Sequence, residues 1–194
     1  MNVLGFSGST RRGSNTDILL AEVLKGATSR GAETKTVVVP SLHIVACQNC
    51  DACLSTGACP FGDDMVRIYR DLAWADRIVL AAPLHFMGLP SQTKALVDRT
   101  QALWVKKYLL RKPPLGDDRL RCGLFVSVGG RTGERLFEGA LATVRAFFAS
   151  LDAKYVGMVA YAGVEKRAEI LTRPEALQEA FVAGESLVGD MISP

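Results

Sequence analysis

A chain of 194 residues, 48% hydrophobic and 22% charged, has the length of one domain and the composition of a folded globular protein. Lys and Arg number 23 against 20 Asp and Glu, a net charge of +3; without a basic block this argues against a nucleic-acid partner. No apolar run reaches the roughly 18 residues of a membrane span. Met1-Asn2-Val3-Leu4 runs straight into a strand pattern without a cleavable leader, so a cytoplasmic location and no membrane partner are expected.

Apolar β-branched runs alternate with stretches at helical period, the pattern of successive βα units around a parallel sheet. The first strand is read at Asn2–Ser7, followed by a helix from about Asn15 to Ser29 in which Ile18, Leu19, Ala21, Val23 and Leu24 supply much of the apolar content. Thr34–Val39 reads as the second strand. A cysteine-rich loop at 46–62 then leads to Asp63-Asp64, where an acidic side chain can cap a helix ending near Ala73. Arg77–Ala82 is a continuous apolar run, as expected of a strand covered on both faces. A helix is expected from Ser91 to about Leu103, then a long polar connection to Leu120 containing Pro113-Pro114. Within it Trp104, Tyr108, Leu109 and Leu110 form a candidate subunit interface. Cys122–Val128 is the fourth strand, Glu134–Ser150 a helix, Tyr155–Tyr161 the fifth strand and Pro174–Ile192 a closing helix.

With no internal repeat, residues 1–194 are expected to form one α/β domain, a doubly wound five-stranded parallel sheet in the flavodoxin-like order 2-1-3-4-5. Ligands of such sheets sit beyond the carboxyl ends of the strands, where the order reverses between strands one and three. Function is therefore expected in the loops after the first four strands.

The segment Ser7-Gly8-Ser9-Thr10-Arg11-Arg12-Gly13-Ser14-Asn15-Thr16 leaves a strand and enters a helix, so its amides and hydroxyls converge at the positive end of a helix dipole. It is not a Walker loop, because Ser14 stands where a lysine would follow the second glycine, and Gly5, Gly8 and Gly13 do not make a dinucleotide fingerprint. A hydroxyl-rich loop with arginine fits a phosphate monoester; the plainer alternative is a helix cap at Ser14 or Asn15 with solvated arginines.

Cys47, Cys50, Cys53 and Cys59 fall within thirteen residues. In a reducing compartment such a cluster points to metal or redox chemistry rather than a disulfide framework. The three-residue spacing lets one loop aim three sulfurs inward, with Cys59 returning after a flexible Ser55–Ala58 segment, and Pro60 completes a spacing close to that of bacterial ferredoxins. A [4Fe–4S] cubane, a tetrahedral zinc and unmetallated thiols are the alternatives; zinc more often takes two separated pairs. Cys122, in a strand, reads as an inert buried residue.

Gly8-Ser9-Thr10-Arg11 with Ser14-Asn15-Thr16, Pro83-Leu84-His85-Phe86 after the third strand, Lys94 with Asp98-Arg99, and Gly129-Gly130 after the fourth resemble the NADPH-dependent FMN reductase superfamily, from residue 2 to about 160. The cysteine run, with Asp63-Asp64-Met65 and Ile68-Tyr69, resembles its iron–sulfur flavoprotein branch. The resemblance implies FMN and a [4Fe–4S] cluster held by Cys47, Cys50, Cys53 and Cys59. It implies that Ser9, Arg11, Ser14, Asn15 and Thr16 hold the FMN phosphate and that Pro83, Leu84, His85, Phe86 and Met87 run along the flavin ring. Ser127, Gly129, Gly130 and Arg131 would close on the isoalloxazine. His85-Phe86 departs from relatives, which often carry Tyr followed by Phe, Trp or a small residue. The implied activity is an oxidoreductase passing electrons between cluster and FMN, with ferredoxin as donor, NAD(P)H as an alternative reductant, and a homodimer or homotetramer as the assembly. Because strand two lies on the far side of strand one from the flavin crevice, the cluster is expected to serve the FMN of a neighbouring subunit. The rivals are a clusterless NAD(P)H-dependent FMN or quinone reductase and a flavin-binding regulator without turnover. Neither His43 nor His85 is assigned a proton-transfer role.

Overall fold

Short apolar runs and longer amphipathic stretches alternate along the chain. In the computed structural model, which describes residues 1–189, the runs form β1 (Asn2–Ser7), β2 (Glu33–Val38), β3 (Arg77–Ala81), β4 (Arg121–Gly129) and β5 (Ala153–Ala162). All pair in parallel, in the order β2-β1-β3-β4-β5. The fold is thus the expected flavodoxin-like doubly wound sheet. Every residue of β4 is buried, as are Val3–Ser7 of β1, whereas the edge strand β2 is mostly exposed or half-buried.

Two apolar clusters flank the sheet. Leu19, Leu20, Val23 and Leu24 of α1 (Asn15–Ser29) and Ala176, Ala180 and Leu187 of α6 (Pro174–Val188) fill one. On the other face lie α2 (Met65–Trp74), α3 (Ser91–Asp98) and α5 (Glu138–Ser150), through Ile68, Leu72, Leu96, Val144, Phe147 and Phe148. No described helix is long and apolar enough to cross a membrane.

The departures from expectation have local causes. β2 ends at Val38 instead of Val39, because Pro40 brings no N–H to a ladder and Val39–Ser41 tightens into a 3₁₀ turn. The helix expected from Glu134 starts at Glu138, after a turn that begins at the left-handed Gly133 (φ 152°). The helix expected over 91–103 breaks after Asp98 and resumes as α4 (Gln101–Trp104), then a π-helical turn, Val105–Leu109. Burial of Val105, continuing that of Ala102 and Leu103, explains why the start of the expected polar connection is helical. Asp64 makes no side-chain cap on α2: its carboxylate accepts the His43 N–H at 2.7 Å, while Asp63 takes that of Met65 at 3.1 Å. Of the residues that supply the apolar content of α1, Ala21 is exposed. The closing helix is followed through Val188, and Asp190–Pro194, including the expected end at Ile192, lie outside the described residues.

α1 and α6 touch backbone to backbone. A Cβ on Gly184 would stand 1.9 Å from the Val23 carbonyl oxygen, and one on Gly26 2.0 Å from that of Phe181. Gly184→Ala forces the helices apart and is expected to destabilise the fold by about 1–3 kcal/mol, read as a lowered urea midpoint.

Candidate functional site

The turn from β1 into α1 is a polar cradle. Gly8 donates its N–H to the Ala81 carbonyl at 2.7 Å, and its own carbonyl accepts from Thr93 Oγ1 at 3.2 Å. A Cβ there would meet that hydroxyl at 2.4 Å, so only glycine lets the loop lie this close to β3 and α3. Ser14 caps α1: its Oγ accepts the Asp17 N–H at 3.2 Å, and the Asp17 carboxylate accepts the Ser14 N–H at 3.1 Å and the Ser7 hydroxyl at 2.6 Å. Ile18 completes the first ladder bond, to the Ser14 carbonyl. Among the described residues, the N–H groups of Asn15 and Thr16 are left free at the positive end of the helix, an arrangement that favours an anion.

This cradle is one end of a cleft of about 240 Å³. Ser9, Thr10, Arg11, Ser14, Asn15 and Thr16 line it on one side, with Pro83, Leu84, His85, Val128 and Gly130 on another. The phosphate-loop residues expected from the sequence therefore converge with part of the expected ring-contacting set. The remainder do not line it. Ser127 is fully buried and donates its hydroxyl to the Ala82 carbonyl at 2.8 Å, away from the cleft. Gly129 packs under Leu84 and Leu136, and Arg131 is exposed outside the lining.

Phe86 and Met87 form the tip of a tight turn in which His85 and Gly88 exchange N–H···O bonds of 3.0 Å. Both central residues are left-handed, at φ 49° and 65°, where Asn-Gly is the usual pair. The turn holds the Phe86 ring entirely in solvent beside the cleft. A bulky residue in this region costs roughly 1–2 kcal/mol, and such strain gathers at functional sites.

A further wall was not expected from the sequence. The segment after β5 folds back over the cradle: Val164 donates to the Gly129 carbonyl at 3.1 Å and Gly163 to that of Arg131 at 3.0 Å. Val164, Glu165 and Arg167 line the cleft, and the Arg167 guanidinium passes over Gly13 of the cradle. Asn15 ties this wall down, its amide donating to the Lys166 carbonyl at 2.9 Å and accepting the Ile170 N–H at 3.1 Å. The Asn15 side chain is thus a strap, and only its backbone N–H is left unpaired at the cradle. Nothing in the order of residues announced Arg167, because its approach to Gly13 spans more than 150 positions.

The cysteines occupy a separate loop closed by a narrow neck. Asp63 accepts the Val45 N–H at 2.9 Å, and Asp64 bonds back to His43. Arg99, from the end of α3, donates to Asp63 at 2.5 and 3.2 Å and to the Val45 carbonyl at 2.7 Å. Both partners of this ion pair are buried, with side chains 1% and 5% exposed. Burial pushes the Asp63 carboxyl up, but the Arg99 hydrogen bond and the N–H groups of Val45 and Met65 outweigh it and leave it below the usual carboxylate value.

Beyond the neck, Cys47, Cys50, Cys53 and Cys59 all line one small cavity of about 30 Å³. Cys47 and Cys50 are exposed, Cys53 and Cys59 half-buried. Burial pushes the Cys53 thiol up, and the charges of Cys59, Cys47 and Cys50 add to the shift. Four thiols around one cavity make a donor set that suits thiophilic iron or zinc. Among the described residues, however, no three ligating side chains converge tightly enough for a single ion. The expected inward aim of three sulfurs is met in that they share a cavity, but not in that they meet at a point. Cys122 is buried in β4, as expected. This cavity and the cleft share no lining residue.

Comparison with known proteins places the chain. Residues 1–167 match the NADPH-dependent FMN reductase family. An iron–sulfur flavoprotein of Methanosarcina thermophila is 36% identical over 130 residues, 67% of this chain and 64% of that protein, so the match spans less than two thirds of the relative. A second iron–sulfur flavoprotein, from Methanocaldococcus jannaschii, is 33% identical over 150 residues, 76% of this chain and 71% of its own length. Among solved structures, a flavone reductase superposes with a TM-score of 0.73 at 20% identity, covering 97% of this chain and 62% of the other, which shows the shared fold. The chain belongs to the NADPH-dependent FMN reductase family, in its iron–sulfur flavoprotein branch.

Two outcomes follow from this geometry. Replacing Phe86-Met87 by Asn-Gly relieves the left-handed strain and is expected to raise Tm by a few degrees, about 2–4 °C per kcal/mol for a chain of this size. Asp63→Asn leaves the Arg99 charge buried and is expected to cost about 3–5 kcal/mol near neutral pH. Because the folded Asp63 titrates below its unfolded value of about 3.9, its contribution is complete above that value and lost as pH falls through the folded one. Denaturant midpoints of wild type and variant should therefore converge as the pH falls below the unfolded value of about 3.9.

Proposed function

We propose that this chain is an FMN-dependent oxidoreductase that also carries a [4Fe–4S] cluster and passes electrons between the two. The observation that carries this reading is the presence, on one chain, of an anion cradle opening into a cleft and a separate cavity ringed by four thiols. When bound, FMN exchanges electrons in pairs or singly and a cubane one at a time, so together they link hydride-like and single-electron chemistry.

The residues of the chain bind and orient. Arg11, Arg167, Ser9 and the N–H groups of Asn15 and Thr16 hold the FMN phosphate, and Pro83, Leu84, His85 and Gly130 border the ring. The strained turn at Phe86-Met87 screens the open side of the cleft. Gly129 supports Leu84 from below, and Ser127 fixes the strand end through Ala82 without touching flavin. Cys47, Cys50, Cys53 and Cys59 ligate the cluster; four irons at the corners of a cube take thiolates that need not meet at one point, which agrees with the spread of the sulfurs around their cavity. Ferredoxin is the proposed donor and NAD(P)H the alternative. A homodimer or homotetramer, using the exposed Trp104 and Leu109, would bring one subunit's cysteine loop to another's cleft.

A clusterless NAD(P)H-dependent FMN or quinone reductase is the second reading, favoured by the exposure of Cys47 and Cys50. Anaerobic isolation decides between them. Flavin bands over a broad, bleachable shoulder near 400 nm, with about four irons and four sulfides per chain, support the proposal. Flavin without iron, together with brisk NADPH oxidation, supports the rival. Arg11→Gln is expected to weaken FMN binding about ten- to a hundredfold, the loss of one charge-assisted phosphate contact, read by quenching of flavin fluorescence. Cys59→Ala should abolish iron retention and leave FMN affinity unchanged.

A further inference from the structure

Arg99 is the most deeply buried cation of the described residues, at 1% exposure, and two of its nitrogens are accounted for by Asp63 and the Val45 carbonyl. Its Nε is buried without any partner. An orphaned guanidinium N–H in a protein interior calls for an explanation, because it forfeits a charge-assisted hydrogen bond. Arg99 is among the residues that line the cysteine cavity, and its guanidinium carbon lies over the ring of Phe61, another lining residue, 5.1 Å from the centroid. The main chain of the same residue is held as well, since Tyr69 donates its hydroxyl to the Arg99 carbonyl at 2.6 Å.

The geometry points to Arg99 as a positioning residue for the group bound by the cysteines: its Nη atoms clamp the neck of the loop, and its Nε–H is reserved for the anionic sulfurs inside it. This rests on the cluster reading above and adds to it a residue outside the cysteine run. A thiolate-ligated cubane is anionic, and a fixed cation with a free donor in its wall favours the more negatively charged, reduced state. Asp63 and the Val45 carbonyl take up the Nη atoms alone, so the ion pair at the neck leaves the Nε–H spare. Lysine in this place keeps the charge but has no fork with which to hold the neck and face the cavity together.

The test compares wild type with Arg99→Lys in two measurements. In the full-length, cluster-free protein, amide hydrogen exchange over residues 46–62 is expected to quicken about ten- to a hundredfold in the variant, the range set by one charge-assisted hydrogen bond, while the strands keep wild-type protection. After anaerobic reconstitution with ferrous iron and sulfide, the cluster's midpoint potential is expected to shift to a more negative value in Arg99→Lys, and further in Arg99→Gln. Wild-type exchange in Arg99→Lys overturns the proposal. So does a loosened loop with an unchanged potential, which would make Arg99 structural only. If Arg99→Gln does not fold, the lysine variant decides alone. A wild-type chain that takes up no iron and sulfide sinks the cluster reading and this proposal with it, whereas equal potentials in loaded wild type and Arg99→Lys sink this proposal alone.

Discussion

The reversal of strand order between β1 and β3 governs the rest of the molecule. Because β2 lies to one side of β1 and β3 to the other, the connections leaving their carboxyl ends diverge and leave a crevice that side chains of the sheet cannot fill. The amino end of α1 faces that crevice with unsatisfied N–H groups, and such groups, held away from bulk water, favour an anion. The buried glycine at position 8 is the steric condition for this arrangement, since any larger residue would lift the cradle off β3.

The same reversal separates the two candidate sites. The cleft is fed by the loops after β1, β3, β4 and β5, while the cysteine loop leaves the edge strand β2 and is anchored to the end of α3. Each site is finished by a long-range contact. Asn15 holds the final wall of the cleft from more than 150 residues away, and Arg99 closes the cysteine loop through a buried ion pair. Removing a partner from such a pair is costly because the remaining charge has no route to water. The cysteine loop, poor in regular structure and with exposed thiols, thus depends on a few polar contacts at its neck, while the sheet rests on two extensive apolar faces.

Strain is localised in the same way. Phe86 and Met87 occupy the left-handed positions of a tight turn at the mouth of the cleft, where glycine and asparagine would be the relaxed choices. A fold that relied on this turn for stability would have little reason to place a phenylalanine there with its ring in solvent. Only its neighbour His85 reaches the cleft lining, which sets the strained turn beside the site.

The order of residues by itself determined the five strands, their succession and the hydroxyl-rich, helix-capping character of the first loop, because periodicity, strand-to-helix turns and hydroxyl-rich caps are properties of neighbours in the chain. The compact spacing of four cysteines was legible for the same reason. Only the tertiary structure decided which expected residues reach the cleft. Ser127 and Gly129 face packing contacts, and Asn15 binds backbone with its side chain, because strand register and the Asn15 strap settle their orientation. Arg167 carried no local signal at all, and Arg99 only its place beside Asp98 in the family likeness, with nothing to link it to the cysteines. Their roles arise from approaches to Gly13 and to the cysteine cavity that exist only once distant segments are folded together.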